Sequence, residues 1–261
     1  MINILRLPGQ NTALRGLQCS GFYHERKTFG LVYEIPRTLE NPQPTITTLN
    51  ELLSTARSQH IGLTSRFRLA VDLATALFEF HKINWLHKSI SSHNVVFFSR
   101  DSAHAWKLES PFITGFSHSR LNEAEQYSNL VHDQHEELRD YLHPTYRNSS
   151  AYTRYTVQYD YYSLGLVLLE IGCWRPLKGL IRKEVERKSS TEEIKQYLIN
   201  TAKIVLPSTM GEKYSEAVVE CLTGCNDSMT SGIVPALVVE EGNASLKFER
   251  LVIRVLASCS V

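Results

Sequence analysis

The sequence predicts an α+β fold that is mainly α-helical. Two β-rich runs between Leu14 and Pro36 surround a polar turn and therefore indicate a β-hairpin. After Pro36, apolar residues recur mostly at helical spacing. The run from Tyr159 to Trp174, YDYYSLGLVLLEIGCW, is apolar nearly all round and predicts a helix through the middle of a helical domain.

Composition excludes several classes of protein. With 43% hydrophobic and 21% charged residues, a chain of 261 residues can bury a core and is not mainly disordered. Its 28 Lys and Arg residues nearly balance 27 Asp and Glu, so no positive field favours nucleic acid. No apolar run approaches the length of a membrane span, and the N-terminal residues lack an export signal. We therefore expect a cytoplasmic protein with no nucleic-acid partner and no membrane span.

The cysteines do not predict a metal site. Five cysteines scattered over a long chain do not form a disulfide framework. Cys221 and Cys225 lie four positions apart without a second pair at metal spacing, which favours two half-buried helical cysteines over zinc. We expect neither a metal nor a cofactor.

Local signals place the elements that follow the hairpin. Residues 37–47 contain two prolines and predict a connector, and residues 49–56 predict a short helix. Thr64 and Ser65 are expected to cap a helix that runs to about Lys82. Residues 106–116 predict a short strand, before a long surface loop from Ser117 to about Tyr159.

Later segments are helical. A short helix is expected within residues 133–142 of the long loop. After the central helix, three amphipathic segments are predicted at Thr191 to Ile204, Ser215 to Leu222 and Ser245 to Leu256.

Four short stretches occur in a recognisable order. They are LVYEIP (31–36), HKSISSHN (His87 to Asn94), GFS (Gly115 to Ser117) and YDYYSLGLVLLEIG (159–172). In order and spacing they resemble the hinge strand, the catalytic loop HRDLKPEN, the DFG motif and the central helix of protein kinases. The resemblance covers about Leu14 to Leu222 and implies a protein kinase-like C-lobe at residues 39–261. It also implies an N-terminally truncated N-lobe at residues 1–38, reduced to the β-hairpin and hinge strand.

The sequences of several stretches are similar to those of one fungal group of domains. WLHKSI, FITGFSHSR, YLHPTYR and YDYYSLGLVLLEIGCWRPL resemble degenerate kinase-like domains. Such domains occur C-terminal to helical domains of the prion-inhibition and propagation (HeLo) type, which are associated with incompatibility and cell-death signalling. This resemblance implies a protein partner whose identity is unknown.

The positions that would carry chemistry are changed. Ser89 stands in place of the catalytic acid, and a hydroxyl cannot accept a proton at neutral pH. Ser91 replaces the phosphate-steadying lysine, and Gly115 replaces the metal-binding aspartate. For Asn94 we favour a hydrogen bond that braces the loop over a role as metal ligand.

The phosphate-holding half of a kinase is also not recognisable. The first 30 residues contain no Gly-rich loop and no lysine-bearing V-A-I-K strand, and Lys27 lies in the polar turn of the hairpin. Residues 2–8 resemble the remnant of the first kinase helix, so the gene is short or the chain is a fragment. These features argue against ATP binding.

Five other positions keep residues for which the resemblance implies a structural role. His87 is expected to pack beneath the loop and bind backbone rather than transfer protons. Lys88 replaces an arginine that often meets an activating phosphate, and it lacks the bidentate fork. Asp160 matches the central-helix acid that binds the loop backbone. Phe116 and Pro144 match the middle of DFG and the proline of APE.

Three functions compete at this point. A noncatalytic pseudokinase-like module, used for protein contacts or as a signalling switch, explains both the retained and the lost residues. The alternative is a divergent protein kinase that phosphorylates Ser or Thr of protein substrates with ATP. A third reading is a small-molecule binding protein that reuses the cleft. The missing nucleotide lysine and Gly115 argue against the kinase.

Overall fold

The computed structural model describes residues 12–25, 28–36, 44–55, 61–99, 108, 110–122, 136–149, 154–182, 185, 189–224 and 244–259. Its strands are β1 (Cys19–Glu25), β2 (Thr28–Tyr33), β3 (Thr45–Thr48), β4 (Trp85–Leu86), β5 (Val95–Ser99), β6 (Phe112–Ile113) and β7 (Arg120–Leu121). Its helices are α1 (Leu49–Thr55), α2 (Leu63–Lys82), α3 (Glu136–Arg139), α4 (Pro144–Arg147), α5 (Val157–Cys173), α6 (Leu177–Leu180), α7 (Thr191–Thr209), α8 (Glu212–Thr223) and α9 (residues 244–259). The predicted α+β, mainly helical fold class is confirmed, and the sheets are small and antiparallel.

The predicted N-terminal hairpin is confirmed. Strands β1 and β2 pair antiparallel, with Phe22 opposite Leu31. The second strand ends at Tyr33, before the expected Pro36, although the Glu34 amide still donates to the Gln18 carbonyl at 2.9 Å. The tip of the turn, including Lys27, lies outside the described residues.

A three-stranded antiparallel sheet, in the order β3, β5, β6, lies next in the chain. The prediction of a connector over residues 37–47 is wrong at its end, because Thr45–Thr48 forms strand β3 and pairs with Val96 to Ser99. Three of its four residues are threonines and the fourth is isoleucine, and such β-branched side chains favour a strand. A second small sheet pairs β4 with β7.

Helix α2 begins slightly earlier than the sequence predicted. Its N-cap is Gly62, in an extended conformation and without a side-chain cap, so Thr64 and Ser65 lie inside the first turn. The predicted caps are therefore wrong, since glycine itself is tolerated at an N-cap. The end of the helix at Lys82 is confirmed.

The central helix is α5, as predicted. Every residue from Asp160 to Gly172 is buried, and α2, α7 and α8 pack against it. Helix α9, which contains a π-helical turn at Glu249–Ile253, adds Phe248, whose ring stacks on Tyr161 at 4.0 Å. The short helix expected within residues 133–142 is α3, and Cys221 is fully buried, whereas Cys225 lies outside the described residues.

Residues 12–17 run along the helical part of the molecule. The Leu14 side chain is buried in the main core, and the Arg15 guanidinium lies 2.9 Å from the Asp72 carboxylate of α2. Gly16 forms a parallel bridge with Ile113 of β6. Among the described helices, none is long and apolar enough to cross a membrane.

Replacing Gly165 with alanine tests how closely α5 and α8 approach. A Cβ at Gly165 would lie 2.8 Å from Cβ of Cys221 and 3.0 Å from Cδ2 of Leu222. Because Cys221 Cβ is fixed to the backbone, the helices would have to separate. We expect Gly165→Ala to lower the free energy of unfolding by about 1 to 3 kcal/mol despite the better helix propensity of alanine.

The matched control is Gly179→Ala in α6, where the nearest heavy atom is 3.6 Å away on Pro176. Urea unfolding of both variants measures the difference, and we expect the control to change little. Equal stability of the two variants would contradict the described packing of α5 on α8.

Candidate functional site

The candidate site is the loop of residues 87–94, which joins β4 to β5 and ends in a helical turn at Ser92–Asn94 (the 87–94 loop). Pairing of β4 with β7 fixes one end of the loop, and pairing of β5 with β3 and β6 fixes the other. The side chains of residues 87–92 are buried. The loop is therefore part of the interior rather than an open surface segment.

Asp160, in the first turn of α5, binds the start of this loop. Its Oδ2 accepts the His87 amide and its Oδ1 accepts the Lys88 amide, each at 2.8 Å. The Tyr155 hydroxyl donates to Oδ1 at 2.8 Å, and His81 Nε2 lies 3.0 Å from Oδ2. Both carboxylate oxygens are thus engaged, in a position with no solvent exposure.

The backbone conformation makes this double contact possible. Lys88 has a φ of 68°, in the left-handed region, which turns two successive amides toward one carboxylate. Burial raises the pKa of Asp160, but the hydrogen bond and charge of His81 and the hydrogen bond from Tyr155 outweigh it and lower the pKa below its usual range. The group therefore contributes stability that is lost as the pH falls through its folded-state pKa.

His87 supports the loop from beneath. Its Nδ1 accepts the Ser89 amide at 3.2 Å, and its carbonyl accepts the Ser119 hydroxyl at 2.7 Å. The ring packs 4.6 Å from that of Phe116. Burial lowers the pKa of His87 to about 4, although the Asp160 charge opposes the shift. A neutral imidazole held in this way binds backbone, which is the role expected from the sequence.

The Lys88 side chain lies against aromatic rings. Its Nζ lies 5.4 Å from the centre of the Tyr155 ring and 6.0 Å from that of Tyr146, so cation–π contacts replace much of its hydration. Burial, followed by the Arg120 charge, lowers the pKa of Lys88 to about 8, against the charge of Asp160.

The residues that the resemblance aligns with kinase catalytic positions contact one another. Asn94 Nδ2 donates to the Ser89 carbonyl at 2.7 Å, and the Thr114 amide donates to the Asn94 carbonyl at 2.8 Å. Gly115 has a φ of 85°, and a Cβ there would lie 2.3 Å from Asn94 Nδ2. The Ser91 hydroxyl is buried and has no hydrogen-bond partner among the described residues.

Phe116 and Pro144 occupy structural positions. The Phe116 ring is fully buried and lies 5.3 Å from that of Phe80 in α2. Pro144 is the first residue of α4, where a proline costs no hydrogen bond, and the His143 side chain caps this helix by accepting the Thr145 amide.

Sequence reasoning missed a second buried carboxyl group, that of Glu170 near the end of α5. Its Oε1 accepts the Tyr141 hydroxyl at 2.8 Å, the Leu177 amide at 2.7 Å and the Ser92 hydroxyl at 3.1 Å. We call Glu170, Tyr141 and Ser92 the Glu170 cluster. An acidic residue within the otherwise apolar second half of α5 is the signal that could have revealed it.

Within the described ranges, no three His, Cys, Asp or Glu side chains are placed to hold a metal ion together. The Glu170 cluster and the Asp160 site each contain one carboxyl group, surrounded by hydroxyl groups, amides and imidazoles. Their arrangement suits hydrogen bonding to the 87–94 loop.

Two substitutions separate the role of Asp160 from that of the loop side chains. Asp160→Ala leaves the His87 and Lys88 amides, the Tyr155 hydroxyl and His81 without their acceptor, so we expect a loss of about 1 to 3 kcal/mol in the free energy of unfolding. Ser91→Ala removes a buried hydroxyl without a partner, so stability should stay equal or rise slightly. Urea denaturation measures both, and similar effects of the two substitutions would contradict the assignment.

Comparison with known proteins identifies a family. A family model described as "Domain of unknown function (DUF7580)" matches residues 8–231. No curated protein matches the chain. Because the family model spans most of the sequence and includes the whole 87–94 loop and α5, the chain belongs to the DUF7580 family.

Proposed function

We propose that the chain is a noncatalytic, kinase-like module that acts through protein contacts as part of a signalling switch. In this proposal residues 39–261 are a kinase-like C-lobe, residues 1–38 are a residual N-lobe, and the protein is cytoplasmic. The observation that carries the proposal is the 87–94 loop: Asp160 binds its backbone, while Ser89, Ser91 and Gly115 stand at the positions for chemistry.

The chemistry of phosphoryl transfer supports the noncatalytic assignment. The reaction depends on metal ions, groups that hold phosphate and an acid that orients the incoming hydroxyl. Ser89 is buried and its carbonyl is bound by the Asn94 side chain. Gly115 provides no carboxylate, and its α-carbon faces the Asn94 amide group too closely for a side chain to fit without movement. The retained residues hold the loop. The residues at the positions that bind metal and phosphate in a kinase lack the side chains for that binding.

Exposed apolar side chains on the hairpin support a role in protein contacts. Phe22 is 57% exposed, Tyr23 is 52% exposed and Val32 is 45% exposed. Phe22 and Tyr23 are neighbours in one strand and so point to opposite faces. Within the described residues the hairpin pairs with no further strand, and exposed apolar side chains beside unpaired strand edges favour a surface that another chain covers.

The similarity in sequence to fungal degenerate kinase-like domains supports a role in incompatibility or cell-death signalling. In that setting the residues of the 87–94 loop would be shared by the members of the group. The module would transmit a signal by binding a protein rather than by modifying it. This part of the proposal rests on the resemblance alone.

Nucleotide binding provides a direct test. We expect ATP with magnesium to leave the melting temperature unchanged, because the chain offers no recognised lysine or carboxylate for the phosphates and metal. A thermal-shift series with ATP, with magnesium and with both checks this. Stabilisation by several degrees that requires both would show strong preferential binding to the folded state and would overturn the proposal.

Restoring two acids should not restore transfer. We expect Ser89→Asp combined with Gly115→Asp to phosphorylate a generic protein substrate no faster than the natural chain, since catalytic parts act as a unit. Transfer of labelled phosphate from ATP measures the rate. Clear activity in the double variant alone would show that the phosphate-holding groups are present, and transfer by the natural chain would contradict the noncatalytic assignment.

A control reports whether position 115 accepts a side chain at all. Gly115→Ala should lower stability because its Cβ meets the Asn94 side chain in a left-handed backbone conformation. The loss should be smaller when Asn94→Ala is already present, as expected for two groups in contact. Equal losses in both backgrounds would show that Asn94 does not occupy the space.

A further inference from the structure

Two buried carboxyl groups of α5 bind the same loop at different points. Asp160 binds the amides of residues 87 and 88, and Glu170 binds the hydroxyl group of Ser92. The two groups lie ten positions apart on one helix (170 − 160 = 10), which corresponds to about 15 Å along its axis. Both are completely buried, but their surroundings differ.

The two carboxyl groups differ in how hydrogen-bond donors are distributed over their two oxygen atoms. Each oxygen of Asp160 accepts hydrogen bonds. In Glu170, Oε1 accepts all three donors, whereas Oε2 is buried without a hydrogen-bond partner in the described part of the chain. An ionised carboxylate would therefore leave a large share of its charge in the interior without a donor, which costs far more than burying a neutral acid.

The surroundings of Glu170 contain few groups that could compensate a charge. The segment after α3 presents the Tyr141 phenol, α6 presents the Leu177 amide, and Ser92 is bonded in turn by the Asn50 side chain of α1. His93 packs on Tyr141 at 6.2 Å. The nearby charges that act on His93 are those of Glu51, Glu137, Asp140 and Lys178.

Charged groups lie near other residues of α5: Lys195 Nζ is 5.8 Å from the centre of the Tyr162 ring, and the charges of Arg175 and Arg66 act on Cys173. At its glycines α5 meets Leu206 and Met210 of the α7 end, and Tyr214, Cys221 and Leu222 of α8. The Tyr214 hydroxyl donates to the Leu168 carbonyl. On the α2 side, His81 binds Asp160. Among the described residues, Glu170 itself is bonded only by three uncharged donors, and no charged side chain pairs with it.

We propose that Glu170 is a neutral carboxylic acid in the folded protein at neutral pH, and that its ionisation is a built-in pH-sensitive device that destabilises the fold as the pH rises. On ionisation the proton leaves Oε2 for bulk water and the carboxylate keeps the negative charge. The charge would then be shared with Oε2, which is buried and accepts no hydrogen bond from the described residues, so ionisation lowers the stability of the folded state. This inference goes beyond the proposed function, because it holds whatever the loop binds.

The pKa of Glu170 agrees with a neutral acid at this position. Burial raises the pKa of Glu170 from 4.5 to about 8, against the opposing hydrogen bonds from Tyr141, Leu177 and Ser92. Between these two values the folded chain holds a proton that the unfolded chain has released. Stability therefore falls as the pH rises through this range, which is the reverse of the effect of Asp160.

Infrared difference spectroscopy detects the neutral acid directly, since a protonated carboxyl group has a C=O stretch that a carboxylate lacks. We expect the natural chain to show this band at neutral pH and to lose it above about pH 9. Glu170→Gln should lack the band at neutral pH. Glu216→Gln, at an exposed position of α8, makes the same chemical change and should keep it.

Urea unfolding measures the coupling to stability. Relative to Glu170→Gln, the unfolding constant of the natural chain should rise up to tenfold per pH unit between about pH 5.5 and pH 7.5. Glu216→Gln should follow the natural chain. A band that survives in Glu170→Gln, or equal pH dependence of the natural chain and Glu170→Gln, would overturn the proposal.

A second variant decides the question if Glu170→Gln does not fold. Tyr141→Phe removes one of the three donors to Oε1, and losing a hydrogen bond changes the frequency of a carbonyl stretch. A band that shifts in Tyr141→Phe belongs to Glu170 and supports the proposal. Absence of any protonated-carboxyl band at neutral pH, or a band that does not move, contradicts it.

Discussion

The contact between the Asp160 carboxylate and the backbone of the 87–94 loop is the constraint on which the rest of the site depends. It joins α5 to α2 through His81, to the segment before α5 through Tyr155, and to the loop through two successive amides. Because the loop is bound by its backbone, its shape does not depend on the side chains at positions 89 and 91. In the proposed kinase-like module, this accounts for serines at the positions of an acid and a lysine without loss of the fold.

The two carboxyl groups of α5 give the central helix a double role. The helix fills the core with apolar side chains, and it also fixes the loop at its start through Asp160 and near its end through the Glu170 cluster. Asp160 is surrounded by donors on both oxygens, which favours the charged form, whereas Glu170 has donors on one oxygen only, which favours the neutral form. One helix therefore holds one loop with two acids in opposite states, and only the second can respond to modest changes in pH.

The sequence was most informative where a pattern is local. The hairpin, the end of α2 at Lys82 and the buried central helix follow from residues close together in the chain, and they are present. Strand β3 was missed because its only signal is a run of β-branched residues directly after Pro44, and its partner strand lies some fifty residues later. The cap of α2 was missed because Gly62 provides no side chain to recognise.

The site could be predicted only where it depends on a local sequence pattern. Asp160 was identified from its place in a recognisable motif, but the contributions of His81 and Tyr155 depend on tertiary packing that no local pattern reports. Glu170 receives donors from residues 78 positions and 29 positions earlier in the chain, so only the fold reveals its burial. Likewise, the resemblance to the DFG motif drew attention to Gly115, but its close approach to Asn94 could not be predicted.

Amide hydrogen exchange of His87 and Lys88 in the natural chain tests the central claim most directly. If Asp160 binds both amides within the interior, they should exchange only through global unfolding, with a free energy of opening close to that of the buried amides of α5. That result would establish the loop as part of the core. Exchange of either amide at the rate of an open surface loop, while α5 stays protected, would contradict the account.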